Sequence, residues 1–406
     1  MNVYADNAAT TRMSQAAVDA MLPFLRESYG NPSSLYTLGQ KAAESLQASR
    51  ETMAKYLGCD AREITFTSGG SEADNQALLT AATLGSRKGK KHSISTAFEH
   101  HAILHSLKRL EKQGFEVTLL DVHENGLVTA QQVADAIRED TCLVTVMYAN
   151  NEIGTIQPIA EIGAVCRERG VLFHTDAVQA AGHLPINVRE QNIDMLSLSA
   201  HKFHGPKGVG LLYARKGIFL TNLIEGGAQE RGKRAGTENV GGIAGMAAAF
   251  REACEHMDEN IAKVTALRDK LIDGLSKIPH CALNGDREHR LPGNVNFCFE
   301  GIEGESMLLL LDGKGICASS GSACTSGSLD PSHVLLAIGR PHEVAHGSLR
   351  LTLCESNTEA EIDHILACVP EIFAYLRGMS PVCAMSASSR MPTASARSAT
   401  PSAAIS

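Results

Sequence analysis

The chain has 406 residues, which at roughly 150 residues per domain predicts two or three domains. Its residues are 44% hydrophobic and 20% charged, a composition typical of a soluble globular protein that excludes a generally disordered chain. Lys and Arg number 37 against 45 Asp and Glu, the net charge is -8 and no long basic block is present, so nucleic acid is not expected as a partner.

Targeting signals are not apparent in the sequence. No stretch approaches the roughly eighteen apolar residues that a membrane-spanning helix needs. The first residues, from Met1 to Asp6, have neither the basic nor the apolar region of a secretory signal peptide. The eleven cysteines include no C-x-x-C pair, which argues against a disulfide scaffold or a zinc site and favours reduced thiols. We therefore expect a cytoplasmic protein that does not bind membranes.

Short β-branched or apolar runs alternate with longer helical patterns from about residue 60, as is typical of a parallel sheet covered by helices. The near-continuous apolar character of these runs predicts strands buried on both faces. Pro158–Gly170 has apolar residues at helical spacing and ends in Gly, which predicts the crossover helix of a βαβ unit. In chain order, the predicted strands are Glu63–Thr67, His92–Thr96, Glu116–Leu120, Cys142–Tyr148, Val171–Thr175, Asp194–Ser199 and Gly208–Tyr213.

The pattern predicts an α/β fold with a mostly parallel central sheet and a smaller α/β domain after it. Residues 1–251 form the large domain, and the long charged helical pattern Arg251–Ile278 marks the passage into a small domain over residues 252–378. Residues 379–406 are a Ser- and Ala-rich tail. Eight of its last 27 residues are Ser, seven are Ala and none is acidic, so we expect this tail to be disordered.

The segment Thr67–Asn75 lies between a predicted strand and a predicted helix. Its two glycines allow a tight turn, and Ser71 and Asp74 have the spacing of a capping box. Backbone N–H groups and a hydroxyl at such a position can bind an anion, although on this segment alone an ordinary capped helix is the commoner explanation. It is neither a Walker A loop nor a G-x-G-x-x-G fingerprint.

Asp176 and Lys202 each follow a predicted strand, which places both at the carboxyl edge of one parallel sheet, where such folds bind ligands. A plain ion pair is one interpretation of the two residues. Together with an anion-binding turn at the same edge, they match the needs of pyridoxal phosphate. That cofactor takes a lysine for its Schiff base, an acid for its pyridine nitrogen and donors for its phosphate.

Several ordered motifs resemble the class V pyridoxal-phosphate enzymes, and specifically the cysteine desulfurases of the NifS and IscS group. The resemblance covers residues 1 to about 378 and implies a fold type I pyridoxal-phosphate enzyme. The segments that carry it are Tyr4–Thr11, Gly30–Ser34, Glu99–His101, Ala149–Thr155, Asp176–Gln179, Ser199–Gly208, Arg234–Asn239 and Ser319–Gly327.

The resemblance implies roles for individual residues around the cofactor ring. Lys202 carries the cofactor as a Schiff base, and Asp176 pairs with the pyridinium nitrogen. Gln179 and Asn151 lie near the phenolic oxygen, and His100 stacks on the ring face and exchanges protons with substrate. His101 has no such counterpart in the resemblance.

The resemblance also implies how phosphate and substrate are held. Gly70, Ser71, Ser199 and His201 match the phosphate contacts, and Thr237 matches a residue that reaches the phosphate of the neighbouring subunit, which implies a homodimer. Arg350, together with Asn151, matches the substrate site. A guanidinium can bind the carboxylate of an amino acid through two parallel hydrogen bonds.

Cys324 lies in a Ser- and Gly-rich segment, about residues 317–332, that resembles the long catalytic loop of the NifS and IscS group. The implied reaction converts L-cysteine to L-alanine and leaves the sulfur as a persulfide on Cys324. The implied acceptor is an iron–sulfur scaffold protein, with Cys324 as a transient ligand of a nascent [2Fe–2S] cluster.

Two alternatives stay open at this point. A selenocysteine lyase or aminotransferase of the same fold would use Lys202 and Asp176 without Cys324, and a non-catalytic sulfur-relay or scaffold-binding protein would use none of them. The destination of the sulfur is also open between nitrogenase assembly, general iron–sulfur assembly and tRNA thiolation. Gln229–Thr237 and Ser326–His333 look closer to NifS, which favours the nitrogenase branch.

Overall fold

The computed structural model describes residues 1–320 and 330–379. No helix in these two ranges is long and apolar enough to cross a membrane. The strands are β1 Val3–Tyr4, β2 Ile64–Thr67, β3 His92–Thr96, β4 Glu116–Leu120, β5 Thr141–Thr145, β6 Leu172–Asp176, β7 Met195–Ser199, β8 Gly210–Ala214, β9 Cys281–Leu283, β10 Asn294–Phe299, β11 Ile316–Cys317 and β12 Ser348–Thr352. The helices are α1 Gln15–Arg26, α2 Thr37–Leu57, α3 Gly70–Ser86, α4 His101–Glu111, α5 Ala130–Ala136, α6 Ile159–Arg169, α7 Val240–Glu255, α8 Met257–Leu275, α9 Gly304–Gly313, α10 His333–Ala337, α11 His342–Ala345 and α12 Glu359–Met379.

The central sheet has seven strands in the order β2-β8-β7-β6-β5-β3-β4. The pairs β3–β4, β3–β5, β5–β6 and β6–β7 are parallel, whereas β8 runs antiparallel to both β7 and β2. The predicted mostly parallel α/β sheet is therefore confirmed. The predicted crossover helix is α6, which joins β5 to β6 and ends at Gly170 in a left-handed conformation with φ of 66°.

One strand differs from the prediction of burial on both faces. β4 is one of the two edge strands of the sheet, so it has a neighbouring strand on one side only, and Leu120 is its only buried residue. Its charged first residue, Glu116, is exposed and paired with Arg138 at 2.7 Å. Charge and a short length are common at sheet edges, where they discourage pairing with another chain.

Helices cover both faces of the central sheet. Because side chains alternate along a strand, Leu211 and Tyr213 of β8 pack in one hydrophobic layer and Leu212 packs in the other. The first layer contains residues of α1, α2, α6 and α7, and the second contains residues of α3 and α4. This arrangement leaves the carboxyl ends of the parallel strands as the open edge of the sheet.

A second hydrophobic core lies around the antiparallel sheet β12-β10-β9 and helices α8, α9 and α12. The first strand of the chain belongs to it, because β1 pairs with β11 and Val3 and Ala5 pack in this core. The long helical pattern predicted over Arg251–Ile278 is two helices that break at His256, with α7 packed in the first core and α8 in the second.

Candidate active site

A cavity of about 580 Å³ opens at the carboxyl edge of the central sheet. It lies where β6 and β7 end, beside the start of α3. Ten of the residues predicted for the site line it. They are Gly70, Ser71, His100, Asn151, Asp176, Gln179, Ser199, His201, Lys202 and Arg350.

Two further residues were predicted for the site, and Thr237, which the structure describes, does not line the cavity. Thr237 is exposed and lies in the segment between the turn at Gln229–Gly232 and α7. Cys324 falls outside the described residues. The cavity within one chain therefore combines the residues proposed for the cofactor and the substrate carboxylate.

Asp176 is the last residue of β6 and is 5% exposed. Its Oδ1 accepts a hydrogen bond from the backbone N–H of Val178 at 2.9 Å. Burial raises the pKa of this carboxyl, while His100, the Val178 N–H and Lys202 act in the opposite direction. A protonated pyridine nitrogen is a group that would stabilise the charged carboxylate here.

Lys202 ends the short 3-10 turn that follows β7, so it extends from the strand next to that of Asp176. Its Nζ donates to the backbone oxygens of Ala8 and Ala9 at 2.5 and 2.9 Å. The N-terminal segment thus lies against the carboxyl edge of the sheet. Neighbouring His201 bonds to Thr10 Oγ1 at 3.1 Å, and burial, with Lys202 next, lowers its pKa to about 4.

The start of α3 offers an anion-binding site. The helix begins at Gly70, directly after Gly69, whose φ of 157° favours glycine. The first N–H groups of a helix have no partner within it, and Gly70 and Ser71, the first two residues of this helix, line the cavity. A Cβ at position 70 would lie 2.6 Å from Val178 Cγ2, so glycine lets this helix start approach the Asp176 segment closely.

The predicted capping box of Ser71 and Asp74 is wrong. Gly69 is the N-cap, and it is the Glu72 side chain that accepts from the backbone N–H of Ser68, at 2.8 Å. Asp74 is instead 1% exposed and points towards the sheet, with its Oδ1 3.7 Å from His174 Nε2. Burial, followed by the neighbouring Asp176 charge, raises the pKa of Asp74.

His100 is the N-cap of α4, and its Nδ1 accepts from the backbone N–H of Ala102 at 3.2 Å. Two further histidines line the cavity beside it, His101 and His333. Their rings lie 4.6 Å apart between centroids. Burial, with the neighbouring histidines next, lowers the pKa of His101. Nothing in the local sequence around His333 indicated that it would reach this cavity.

Arg350 lies in the middle of β12 and is 1% exposed. Its Nη2 pairs with Asp6 Oδ1 at 2.9 Å, and its Nη1 donates to the backbone oxygen of Asn151 at 2.9 Å. Asp6 was not predicted as a site residue, although it lies in one of the quoted motifs. The pair fixes a buried guanidinium at the wall of the cavity, where a carboxylate can be bound.

The residues present fit pyridoxal phosphate. A lysine, a buried carboxyl and a helix start with free N–H groups surround one cavity, and a histidine lines the same space. A mostly parallel sheet with this set at its carboxyl edge defines a pyridoxal-phosphate enzyme of fold type I. The sequence matches the aminotransferase class-V family over residues 3–365, and the chain belongs to that family.

Relatives within the family narrow the assignment. The chain is 54% identical over 383 residues to "Cysteine desulfurase IscS" of Clostridium botulinum, covering 94% of this chain and 96% of the relative. It is 54% identical over 380 residues to the protein of the same name from Methanosarcina thermophila, covering 94% of each. The solved structure of a "NIFS-LIKE PROTEIN" matches with a TM-score of 0.87 at 40% identity, over 93% of this chain and 100% of that one. The chain is thus a member of the NifS and IscS group of cysteine desulfurases.

Proposed function

We propose that the protein converts L-cysteine to L-alanine with pyridoxal phosphate as cofactor and takes up the sulfur on Cys324. The observation that carries the proposal is the cavity that brings Asp176, Lys202 and Arg350 together. A lysine and a buried acid suit the cofactor, and a buried guanidinium suits an amino acid substrate. The names of the relatives support the choice of cysteine over other amino acids.

The cofactor's part is to accept the electron pair released when a bond at the substrate's α-carbon breaks. Lys202 is proposed to bind its aldehyde carbon and Asp176 its ring nitrogen. Gln179 and Asn151 would bind the phenolic oxygen, and His100 would cover one ring face. The phosphate would lie at Gly70, Ser71, Ser199 and His201.

Arg350 is proposed to orient the substrate by its carboxylate, with Asn151 beside it. Arg350 is already fixed by Asp6 and by the Asn151 backbone oxygen, so little side-chain freedom is lost when the substrate binds. His100 or Lys202 would then move the substrate's α-proton. A correctly held amino acid presents its sulfur in one direction, which is the condition for attack by a single thiolate.

The sulfur transfer needs no oxidant. The Cys324 thiolate attacks the sulfur of the substrate, the bond between that sulfur and the substrate's β-carbon breaks, and the carbon takes a proton to give alanine. The product on the protein is a persulfide. A free cysteine is mostly protonated at neutral pH, so a base must take its proton, and His100 is our candidate.

We further propose that the persulfide passes to an iron–sulfur scaffold protein in the cytoplasm, with Cys324 as a transient [2Fe–2S] ligand. The relatives' names support an assembly role in general. The nitrogenase branch remains a narrower proposal that rests on the two NifS-like segments. The nine cysteines among the described residues are all free thiols, in keeping with a reducing location.

A homodimer is the proposed active form. Helix α1 exposes Val18, Leu22 and Leu25 at spacings of four and three residues, which places them on one face, and Tyr29 and Leu35 after the helix are also exposed. Exposed apolar patches of this kind mark interaction sites. Thr237 would then reach the other subunit's phosphate. In a mixed dimer, one subunit carries Lys202→Ala and the other carries Thr237→Ala. Loss of cofactor confined to the active site of the Thr237→Ala subunit itself would contradict this role.

We also propose that the chain divides into a large domain over residues 1–251, a small domain over 252–378 and a tail over 379–406. The two hydrophobic cores described above support the first boundary, since α7 packs in one core and α8 in the other. Residues 380–406 lie outside the described part of the chain.

Replacement of Cys324 by Ser tests the proposed function. We expect cofactor content and the change in cofactor absorbance on adding cysteine to be retained, while alanine and persulfide formation are lost. Cys317→Ser is the matched control, because this thiol is exposed and lies seven residues earlier. Alanine formation at the wild-type rate by Cys324→Ser would refute the persulfide mechanism, and loss of cofactor would assign Cys324 a structural role.

A further inference from the structure

A second polar cavity, of about 220 Å³, lies between the two hydrophobic cores, behind the Lys202 turn. Three histidines and a cysteine line it, a combination that the proposed reaction does not use. One of them, His183, lies with its Nε2 2.9 Å from the backbone oxygen of Lys202. Because a carbonyl oxygen only accepts hydrogen bonds, Nε2 carries the proton and donates it. The cavity is therefore in direct contact with the chain segment that holds the catalytic lysine.

Three side chains at this cavity have their ligand atoms within 4.8 Å of one another: His204, Cys354 and Glu355. His204 follows the Lys202 turn, and the other two follow the end of β12. The set consists of an imidazole nitrogen, a sulfur and a carboxylate oxygen, which are the ligand types that Zn²⁺ takes in proteins. With the thiol deprotonated, the three side chains together carry a charge of -2, which neutralises the charge of the divalent cation.

The orientation of His204 is that of a metal ligand. Its Nδ1 lies 2.9 Å from the backbone oxygen of Arg12, so Nδ1 carries the proton and the neutral ring has its lone pair on Nε2. A backbone carbonyl on the other ring nitrogen is the usual support of a metal-bound histidine. The backbone of His204 has φ of 65°, an unusual value for a residue other than glycine, and is held by a 2.8 Å bond from its N–H to Thr11 Oγ1.

The other ring nitrogen of His204, Nε2, faces the carboxylate of Glu355, with Nε2 and Oε1 3.1 Å apart. Burial lowers the pKa of His204, but the hydrogen bond and the charge of Glu355 raise it above its ordinary value, so the two side chains form an ion pair when the ring is protonated. An imidazole lone pair and a carboxylate oxygen repel each other at that distance unless a cation lies between or beside them. A proton is one such cation, but it does not account for the thiol of Cys354 at the same point.

We propose that His204, Cys354 and Glu355 bind a thiophilic divalent cation such as Zn²⁺, with a water from the cavity as fourth ligand. On binding, the Cys354 thiol and the His204 ring nitrogen Nε2 each release a proton to solvent. The cation would connect the segment after Lys202 to the end of β12, the strand of Arg350, and so tie together two parts of the chain 150 residues apart. This cation site is independent of the proposed desulfurase reaction.

The test uses Co²⁺, which is a spectroscopic probe for Zn²⁺, with the full-length holoenzyme. Every protein carries Cys324→Ser so that the catalytic thiol does not contribute. After treatment with a chelator and gel filtration, we expect one Co²⁺ per chain with a sulfur-to-cobalt charge-transfer band, displaced by Zn²⁺. We also expect Zn²⁺ to raise the thermal unfolding temperature.

Single-residue variants test which side chains bind the cation. Cys354→Ser should remove the charge-transfer band, and His204→Gln and Glu355→Gln should each weaken Co²⁺ binding at least tenfold. His256→Gln, a histidine of the same cavity outside the ligand set, and Cys317→Ser, an exposed thiol, are the matched controls and should bind as the parent does.

Absence of a charge-transfer band at saturating Co²⁺ in the parent, or its persistence in Cys354→Ser, would overturn the proposal. Circular dichroism checks the fold of each variant. If Cys354→Ser does not fold, Glu355→Gln decides, because the Glu355 side chain is 38% exposed and its loss should not prevent folding. Unchanged binding in Glu355→Gln then counts against the site.

Discussion

Alanine at position 70 tests whether the start of α3 holds the cofactor's phosphate. The new Cβ would lie 2.6 Å from Val178 Cγ2, whereas ordinary van der Waals contact begins at 3.4 Å. Either the helix start or the Val178 segment must therefore move. The first movement shifts the N–H groups proposed to bind phosphate, and the second shifts Asp176, two residues before Val178. Both are expected to weaken cofactor binding.

The magnitude follows from the cost of overpacking, which is about 1–3 kcal/mol. Since about 1.4 kcal/mol corresponds to a factor of ten, the dissociation constant for pyridoxal phosphate should rise between roughly 5-fold and 150-fold. Alanine is the better helix former by about 1 kcal/mol, so part of the cost to the apoprotein's stability is offset. Fluorescence titration of the apoprotein with pyridoxal phosphate measures the dissociation constant, and urea unfolding measures the stability of the apoprotein.

A second substitution provides the matched control for Gly70→Ala. Val178→Ala removes Cγ2, after which the nearest contacts of the new Cβ are Ser199 Cβ at 3.6 Å and the Cβ of residue 178 at 3.9 Å. The double variant should bind the cofactor about as tightly as Val178→Ala alone. Wild-type affinity in Gly70→Ala, or a double variant as weak as Gly70→Ala, would refute this account of the helix start.

Three further predictions follow from individual residues. Arg350→Lys loses the paired hydrogen bonds of a guanidinium, which are worth about 2 kcal/mol with a charged partner. The kcat/KM for cysteine should therefore fall about 30-fold while the cofactor content is unchanged. A kcat/KM equal to that of the wild type would exclude the proposed role of Arg350 in binding the substrate carboxylate. Burial raises the pKa of Glu99 to about 8, so the native state keeps its proton between pH 4.5 and 8 while the unfolded state loses it. Urea unfolding should therefore show the wild type losing stability relative to Glu99→Gln as pH rises through that window, by at most about 1.4 kcal/mol per pH unit, and a pH-independent difference would contradict this. Deletion of residues 380–406 should leave the unfolding temperature and alanine formation unchanged, and a large drop in either would mean that the tail packs on the protein.

The parts of the site that the sequence predicted are those governed by a local rule. Asp176 ends β6 and Lys202 closely follows the end of β7, and the carboxyl ends of neighbouring parallel strands meet at one edge of a sheet. The turn proposed to bind phosphate follows β2 at the same edge, because β2 and β7 both run antiparallel to β8 and so run in the same direction. Sequence spacing alone was thus enough to bring three groups together.

The parts that were missed or misassigned depend on tertiary contacts. Asp74 has the spacing of a capping residue, but its side chain is buried towards His174 and Glu72 takes the local role. Arg350 pairs with Asp6, 344 residues away, and no spacing rule links them. The break at His256 was missed because the helical pattern continues across it, while the two helices belong to different cores.

The N-terminal segment illustrates why such contacts determine the site. β1 joins the second core by pairing with β11, Asp6 then binds the guanidinium of Arg350, and Ala8 and Ala9 accept from Lys202 Nζ. Seven consecutive positions thus connect Arg350 on β12 to Lys202 beside β7. A strand of two residues has almost no stability of its own, so this segment is ordered by its partners rather than by its own sequence. Arg350 and Lys202 are therefore joined by a segment whose path could not be derived from local propensity.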